Sequence, residues 1–476
     1  MSKNTFYLTT TLPYVNAEPH IGFALEIIAG DVISRYHRLL GEDVTFNTGT
    51  DEHGQKIYQK AQEEAKDPQD YVDEYAAKFN HLKELLNLSY DRFIRTTDDH
   101  HKKAAQEFWR RCQANGDIYK KLYSVKYCIG CELEKTDSEL VDGRCPLHPN
   151  KELEIREEEN YFFRFSKYQQ SLLDLYQKNP TFVKPDAKMK EIKSFVEQGL
   201  QDFSISRLKE KMPWGVAVPD DNEHVMYVWF DALVNYISTI GWPEDMATFE
   251  KYWPVVQIAG KDNLRQQSAM WQAMLMSAGV ENSQQILING FISVAGQKMS
   301  KSLGNVISPQ EMVERYGADG SRYLLMSLGP IGDDMDVTWE RLDTSYTAAL
   351  SNGLGNLCSR VAKLCEKADV TLEADQRSLT NFAPEYSALL AAFELSDALS
   401  WAINQVSETD QYLSDTTPWK KTGAEQADIL KTAVKKILLI AYHLQPFMPD
   451  TARKILGHFT AEKITALEPL FPRLPN

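Results

Sequence analysis

Four residues in one short stretch have the types and spacing of a metal site. In "YCIGCELEKTDSELVDGRCPLH", Cys128 and Cys131 form a Cys-x-x-Cys turn, and Cys145 and His148 form a Cys-x-x-His turn. Each turn presents two donors to one ion, and the two turns together fill a tetrahedron. That set suits structural Zn2+, with all four positions closed and none left for a reactive water. No spare acid or base belongs to the pattern, so a catalytic metal is not expected. The other cysteines, Cys112, Cys358 and Cys365, read as small buried hydrophobes.

Two further stretches suit phosphate chemistry. "PHIGF" places His20 and Gly22 where the strand-like "FYLTTTL" gives way to a helix. There an imidazole can donate to a phosphate oxygen, and the helix N-terminus favours negative charge. "GQKMSKSLGN", residues 296–305, sets Lys298 and Lys301 around Ser300 in a Gly-bounded loop. Two ammonium groups and backbone donors suit the charge that develops on a departing pyrophosphate. Alone, His-Ile-Gly is usually only a helix start, and a lysine–serine loop is usually only solvated. In one acidic chain, each directly after a strand, they gain specificity from one another. "GTDEHG" offers Asp51, Glu52 and His53 at a second strand end. An acid there could hold a ligand's ammonium group, whereas His53 reads more readily as structural. "YVWFDALVNY" carries Trp229, Phe230 and Tyr236 around Asp231, aromatics that could wall an apolar pocket.

The elements that must hold these residues follow from periodicity. The first 110 residues alternate strand-like and helix-like stretches, which implies a parallel sheet with right-handed crossovers. In the first helix Ile21, Leu25, Ile28, Val32, Tyr36 and Leu39 recur at helical spacing. Sheets of this kind bind ligands at the carboxyl ends of their strands, where the Pro13–Gly22 and Thr48–Gly54 turns fall. Residues 118–160 lose this order and include the acidic run "EIREEEN", as in a small insert that needs a staple. From about 225, "HVMYVWFDAL", "VVQIAGKD" and "QILINGFISVAG" read as buried strands, so the sheet is interrupted and resumed. After about 345 the pattern is helical, with Leu430, Val434, Ile437, Ala441 and Leu444 on one face.

The chain has 476 residues, 43% of them hydrophobic and 25% charged, enough for several cored domains. A net charge of −15 argues against a sequence-blind nucleic-acid coat or a membrane-surface protein. It leaves room for a nucleic acid read at one local surface. Residues 346–476 hold 13 Lys and Arg against 15 Asp and Glu, so the acidic bulk lies elsewhere. No apolar run approaches the roughly 20 residues of a membrane span. The chain opens on a strand pattern, not a signal segment, so a cytoplasmic protein with reduced thiols is expected.

Together "LPYVNAEPHIG", "GTDEHG", the Cys-x-x-Cys…"CPLH" knuckle, "YVWFDALVNY", "GKD" (260–262) and "KMSKSLGN" resemble the methionyl-tRNA synthetase family of class I aminoacyl-tRNA synthetases, of the type with a single zinc knuckle. The resemblance covers essentially the whole chain, ending in "PFMPDTARKI". It implies an α/β fold: a Rossmann-type parallel-sheet catalytic domain split by a zinc-containing connective insert, then an all-helical anticodon-binding domain. The implied divisions are 1–117 and 225–295 for the catalytic halves and 118–224 for the insert, with its knuckle at 128–148. The lysine loop and stem-contact region would occupy 296–345, and the helical domain 346–476.

The implied activity joins L-methionine to tRNA(Met) with ATP, by way of methionyl-adenylate. One structural Zn2+, Mg2+ accompanying ATP and a monomeric protein are expected with it. In this scheme His20, Lys298 and Lys301 are catalytic. ATP meets His20, Gly22, Phe23, Glu26, Gly260, Asp262 and the two lysines. Methionine meets Thr11, Leu12, Tyr14, Asp51, Trp229, Ala232, Leu233, Tyr236, Asn263 and Gln267. Asn356, Arg360 and Trp419 read the anticodon, where unpaired bases call for stacking and edge hydrogen bonds.

Several positions depart from the family pattern. Phe23 replaces the second His of the first signature, Asn263 and Gln267 replace an apolar–His pair, and Asn289 replaces a His before Gly-Phe. Phe23 cannot donate to phosphate, a loss of about 1.5–3 kcal/mol and roughly tenfold or more in rate if nothing compensates. An inactive or repurposed paralogue activating another amino acid is the alternative these departures suggest. Lys298, Lys301, Asp51, Trp229 and the anticodon set oppose it.

Overall fold

The computed structural model describes residues 4–131, 133–135, 140–299, 304–373 and 381–474. Its first strand, β1 (Thr5–Thr9), is a nearly continuous buried run. It lies between β2 (Asp43–Thr50) and a strand far along the chain, β5 (Val256–Gly260), and is parallel to both. β3 (Arg92–Arg95) extends the sheet beyond β2. On the other side β6 (Gln285–Asn289) pairs with β5, and the two-residue β4 (Val183–Lys184) forms the edge. The order is therefore β3-β2-β1-β5-β6-β4, all parallel. Strand order reverses between β1 and β5, and that crevice is where such a sheet binds ligands.

Helix α1 (Ile21–Leu39) follows β1 and covers one sheet face. Of its expected apolar stripe, Ile21, Leu25, Ile28, Val32 and Tyr36 are buried, whereas Leu39 in the last turn is exposed. The core under α1 continues without a break into the helices of residues 356–459, so sheet and helical region share one apolar interior. Leu430, Val434, Ile437, Ala441 and Leu444 all lie in it. A second core covers the opposite sheet face. Cys112, Cys358 and Cys365 are fully buried, as expected of small hydrophobes.

The "EIREEEN" run is a strand. Ile118–Cys128 and Glu154–Phe163 form an antiparallel hairpin from Ile118↔Phe163 to Tyr127↔Glu154, with the cluster of Cys128, Cys131, Cys145 and His148 at its far end. Two apolar runs read as sheet strands resolve differently. In "HVMYVWFDAL", His224–Met226 pairs with Ser206–Leu208 outside the main sheet, and Val228–Ala232 is helical. A run buried on all sides carries no periodicity to tell strand from helix. In "QILINGFISVAG" the chain leaves the sheet at Gly290, where a Cβ would lie 2.0 Å from the Asp333 carbonyl oxygen. Ile292–Val294 then joins a small sheet with Gln297–Lys298 and Met335–Val337. Among the described residues no helix is long and apolar enough to cross a membrane.

Candidate active site

At the β1/β5 crevice lies a cavity of about 320 Å3 whose lining includes Thr11, His20, Gly22, Phe23, Glu26, Gly260, Asp262, Asn263, Lys298 and Met299. His20 is the N-cap of α1, and its Nδ1 accepts the Gly22 N–H at 3.0 Å. In a neutral imidazole that leaves Nε2 as the protonated nitrogen and the available donor. The surrounding protein, and then the Lys298 ammonium, hold the His20 pKa below its ordinary value, so the ring is neutral at pH 7. Gly22 is glycine because this ring folds back over it: a Cβ would lie 2.8 Å from His20 Cε1.

Glu26 is buried one turn into α1, and its Oε1 accepts from Thr11 N at 2.8 Å and Thr11 Oγ1 at 2.5 Å. The backbone of Gly260, at the end of β5, lies near enough to favour the charged form of Glu26. Burial pushes its pKa up to about 8, with the Asp262 carboxylate adding to the shift and the Thr11 donors and Gly260 backbone opposing it. Because the folded pKa lies above the unfolded one, this group stabilises the fold fully below about pH 4.5. That contribution is lost as pH rises towards 8. Glu26→Gln is therefore expected to flatten the pH dependence of stability of the ligand-free protein. The difference in slope should be up to about 1.4 kcal/mol per pH unit, measured by urea unfolding at pH 5, 6.5 and 8. Parallel pH profiles for the two proteins would contradict the assignment.

The lysine loop is anchored on both sides of the cavity. Lys298 lies on a strand paired with Ser293, its ammonium 5.4 Å from the centre of the Phe291 ring. On the return, the Ile307 carbonyl accepts from the Ile21 N–H, beside His20. Ser308 then starts the next helix in a reciprocal capping box with Glu311. Lys301 lies outside the described residues. Phe291 also carries Lys261 at 4.4 Å, and Lys261 is held by Asp334. Residues 289–292 and Met299 thus belong to the cavity wall, a role that residue type did not signal. Their position just past the end of β6 could have signalled it.

The residues proposed for the amino acid are drawn together by long-range contacts. The loop after β1 runs alongside the end of β2: Asp51 N donates to Pro13 O at 3.0 Å, and Val15 N to Asp51 O at 3.3 Å. This sets Leu12 and Tyr14 beside the buried Asp51. His53 Nδ1 meets Asp231 Oδ2 at 2.8 Å, which pins the helix bearing Trp229 and Ala232 to the end of β2. His53 is thus a structural residue. Tyr236 and Leu233 are buried just beyond that helix. Gln267 Nε2 donates to Tyr236 Oη at 2.7 Å, and Gln257 Nε2 donates to Gln267 Oε1 at 3.0 Å. Gln267 sits in a π-helical turn, Gln266–Met270, a form that frequently marks functional sites. Asn263 does not join this group: it lines the cavity with His20 and donates to Asp262 Oδ1 at 3.3 Å. Phe23 packs edge-on against Phe79, ring centres 5.3 Å apart, so it joins the cavity wall to the core.

At the hairpin tip Cys128, Cys131, Cys145 and His148 place their donor atoms within 4.8 Å of one another. Cys131 Sγ is 3.2 Å from both Cys145 Sγ and His148 Nδ1, and Cys128 Sγ is 3.8 Å from that nitrogen. Ligands at about 2.0–2.3 Å from a tetrahedral zinc are separated by about 3.5–3.8 Å, so the set fits. Gly130 is required because the His148 ring lies where a Cβ would be, at 2.4 Å. On the helical region Trp419 is 48% exposed, Asn356 is exposed and Arg360 is ion-paired with Asp410.

The chain matches the family model described as tRNA synthetases class I (M) over residues 6–153 and 136–362. It is 43% identical over 474 residues to the methionine–tRNA ligase of Thermosynechococcus vestitus, covering 95% of this chain and 89% of that one. Against the Thermotoga maritima methionine–tRNA ligase it is 40% identical over 484 residues, covering 98% and 77%. Among solved structures, the Mycobacterium tuberculosis methionyl-tRNA synthetase in complex with methionyl-adenylate superposes with a TM-score of 0.88 at 36% identity, covering 99% of this chain and 100% of that one. The apo form of that protein gives 0.84 at 33% identity, covering 100% and 99%.

Proposed function

The chain belongs to the methionine–tRNA ligases of class I, and from that premise we propose how its own residues carry out methionine activation and tRNA charging. The methionine carboxylate attacks the α-phosphorus of ATP. The bond to the β-phosphate breaks, pyrophosphate leaves with the electron pair, and methionyl-adenylate remains. A ribose hydroxyl at the 3′ end of tRNA then attacks the adenylate carbonyl and releases AMP. No protein nucleophile is required, so catalysis is positioning plus charge stabilisation.

His20 donates from Nε2 to the phosphates, while Lys298 and Lys301 offset the charge that grows on the leaving pyrophosphate. Gly22 and Phe23 line this ATP surface, and Glu26, Gly260, Asp262 and Asn263 form its floor at the crevice. Mg2+ accompanies ATP. Asp51 receives the methionine ammonium group, and Thr11, Leu12, Tyr14, Trp229, Ala232 and Leu233 surround the substrate. Tyr236 and Gln267, already bonded to each other, present a fixed polar edge to the side chain. Asn356, Arg360 and Trp419 contact the tRNA(Met) anticodon. The protein acts in the cytoplasm as a monomer.

The observation that carries this reading is the convergence of His20, Glu26, Asp262 and Lys298 on one cavity at the strand-order reversal. ATP–pyrophosphate exchange run with each of the twenty amino acids, followed by tRNA charging, tests it. Exchange with methionine far above the rest is expected, and a stronger response to another amino acid would overturn it. Cys128, Cys131, Cys145 and His148 hold one structural zinc. Elemental analysis is expected to give one zinc per chain, and Cys145→Ser to lose it and open residues 128–148 to limited proteolysis. A Cys145→Ser protein that keeps its full zinc content would sink the assignment.

A further inference from the structure

A second cavity, of about 430 Å3, lies between the sheet and the start of the Leu395–Thr416 helix. We propose that it is a binding site for a small heteroaromatic amine, an apolar ring bearing an N–H at one end and an ammonium group at the other. A cavity of this size with an apolar body and a few placed polar groups is the ordinary form of a small-molecule site. Its floor is Ile33 of α1, Ile258 of β5, Leu287 of β6 and Leu395, all buried and apolar. Its rim carries three exposed carboxylates, Asp186, Glu394 and Asp397. The ammonium group in the lining, Lys184 Nζ, is already donated to the Ala392 carbonyl at 3.0 Å. The rim is therefore net negative, which disfavours an anion and suits a cation.

The inner end is set by Asn289. It is 5% exposed, its Nδ2 donates to Gly290 O at 3.2 Å, and its Oδ1 has no hydrogen-bond partner. A buried acceptor left unpaired costs about 1–3 kcal/mol, and turning the amide toward the cavity would let a ligand N–H recover it. Asn289 lines both this cavity and the one holding His20, so an occupant would share a wall with the nucleotide site. Phe393 forms part of the same lining with φ at 62°, a left-handed conformation that a bulky residue rarely adopts.

Tryptamine is the test probe, titrated by calorimetry into the whole protein with a non-reactive methionyl-adenylate analogue filling the active site. Saturable one-to-one binding is expected. Indole-3-acetate, with the same ring and the opposite charge, should bind at least tenfold more weakly, and 1-methyltryptamine, lacking the ring N–H, at least threefold more weakly. Leu395→Trp, which fills the floor, should abolish binding. Asp397→Lys, at an exposed site that does not threaten folding, should weaken it at least fivefold. No saturable binding, equal binding of indole-3-acetate, or affinity unchanged by Asp397→Lys would each overturn the proposal.

Discussion

His20→Ala is expected to lower methionine-dependent ATP–pyrophosphate exchange by about 10²–10³-fold, the cost of losing one preorganised donor to a developing anion. Methionine affinity, measured by calorimetry without ATP, should stay within about twofold. The size of the effect follows from how completely the ring is prepared. Its Nδ1 is committed to the Gly22 N–H, its Nε2 carries the remaining proton, and the surrounding protein, with the Lys298 ammonium adding to its effect, keeps the ring neutral. The donor is thus set before ATP arrives and needs no reorganisation during reaction. With Phe23 packed on Phe79, the imidazole at this turn comes from His20 alone, because no second histidine stands there to share the load. Gly22→Ala separates orientation from chemistry. The added methyl would lie 2.8 Å from Cε1 and push the ring away while leaving an imidazole in place. It should lose most of the same factor. Exchange within threefold of wild type in His20→Ala would refute the role.

Features legible in the sequence were those in which adjacent residues do the same job. The metal donors sit in two turns, α1 shows its face at helical spacing, and the His20 turn lies between a strand and a helix pattern. Contacts between distant segments were not legible. Nothing local links Gln257, Gln267 and Tyr236, yet they form one buried chain of hydrogen bonds. Asp231 could have been an active-site acid, but its partner is His53, far earlier in the chain. Asn263 follows "GKD" and reads as amino-acid pocket by its neighbours; the 3₁₀ turn Lys261–Asn263 places it on the wall of the cavity that also holds His20. The π-helical turn carrying Gln267 has no sequence signature at all, because it differs from an α-helix by one residue of hydrogen-bond register.

The most consequential illegible contact is Arg322, fully buried in a protein with ample surface for an arginine. Its Nη2 is 2.7 Å from Asp31 Oδ2 on α1, the helix whose first turn holds His20. Its other bonds go to backbone carbonyls: Phe447 at 2.8 Å, Pro446 at 3.0 Å and Leu86 at 3.2 Å. The helix bearing it breaks at Gly317, with φ at 72°, and beyond the break Asp319 accepts from Thr451 N in the last helix. One element thus runs from the lysine loop to the helical domain and grips α1 on the way. Asp31→Ala is expected to destabilise the protein by about 3–5 kcal/mol, since it strands Arg322 as an uncompensated buried charge. It also removes the partner of Arg35 and of Ser89 N and Oγ. Arg322→Met should cost a similar amount for a different reason. Asp31 keeps Arg35, but three carbonyls lose their donor, each worth about 1–3 kcal/mol when left buried and unpaired. Combining the two substitutions removes both charges yet cannot repair those carbonyls. The double variant should therefore be less stable than either single one, though by about 1–3 kcal/mol less than additivity predicts. Urea unfolding of all four proteins measures this. Strict additivity would show that the two charges do not stabilise one another, and that Arg322 acts only as a donor to the carbonyls around it.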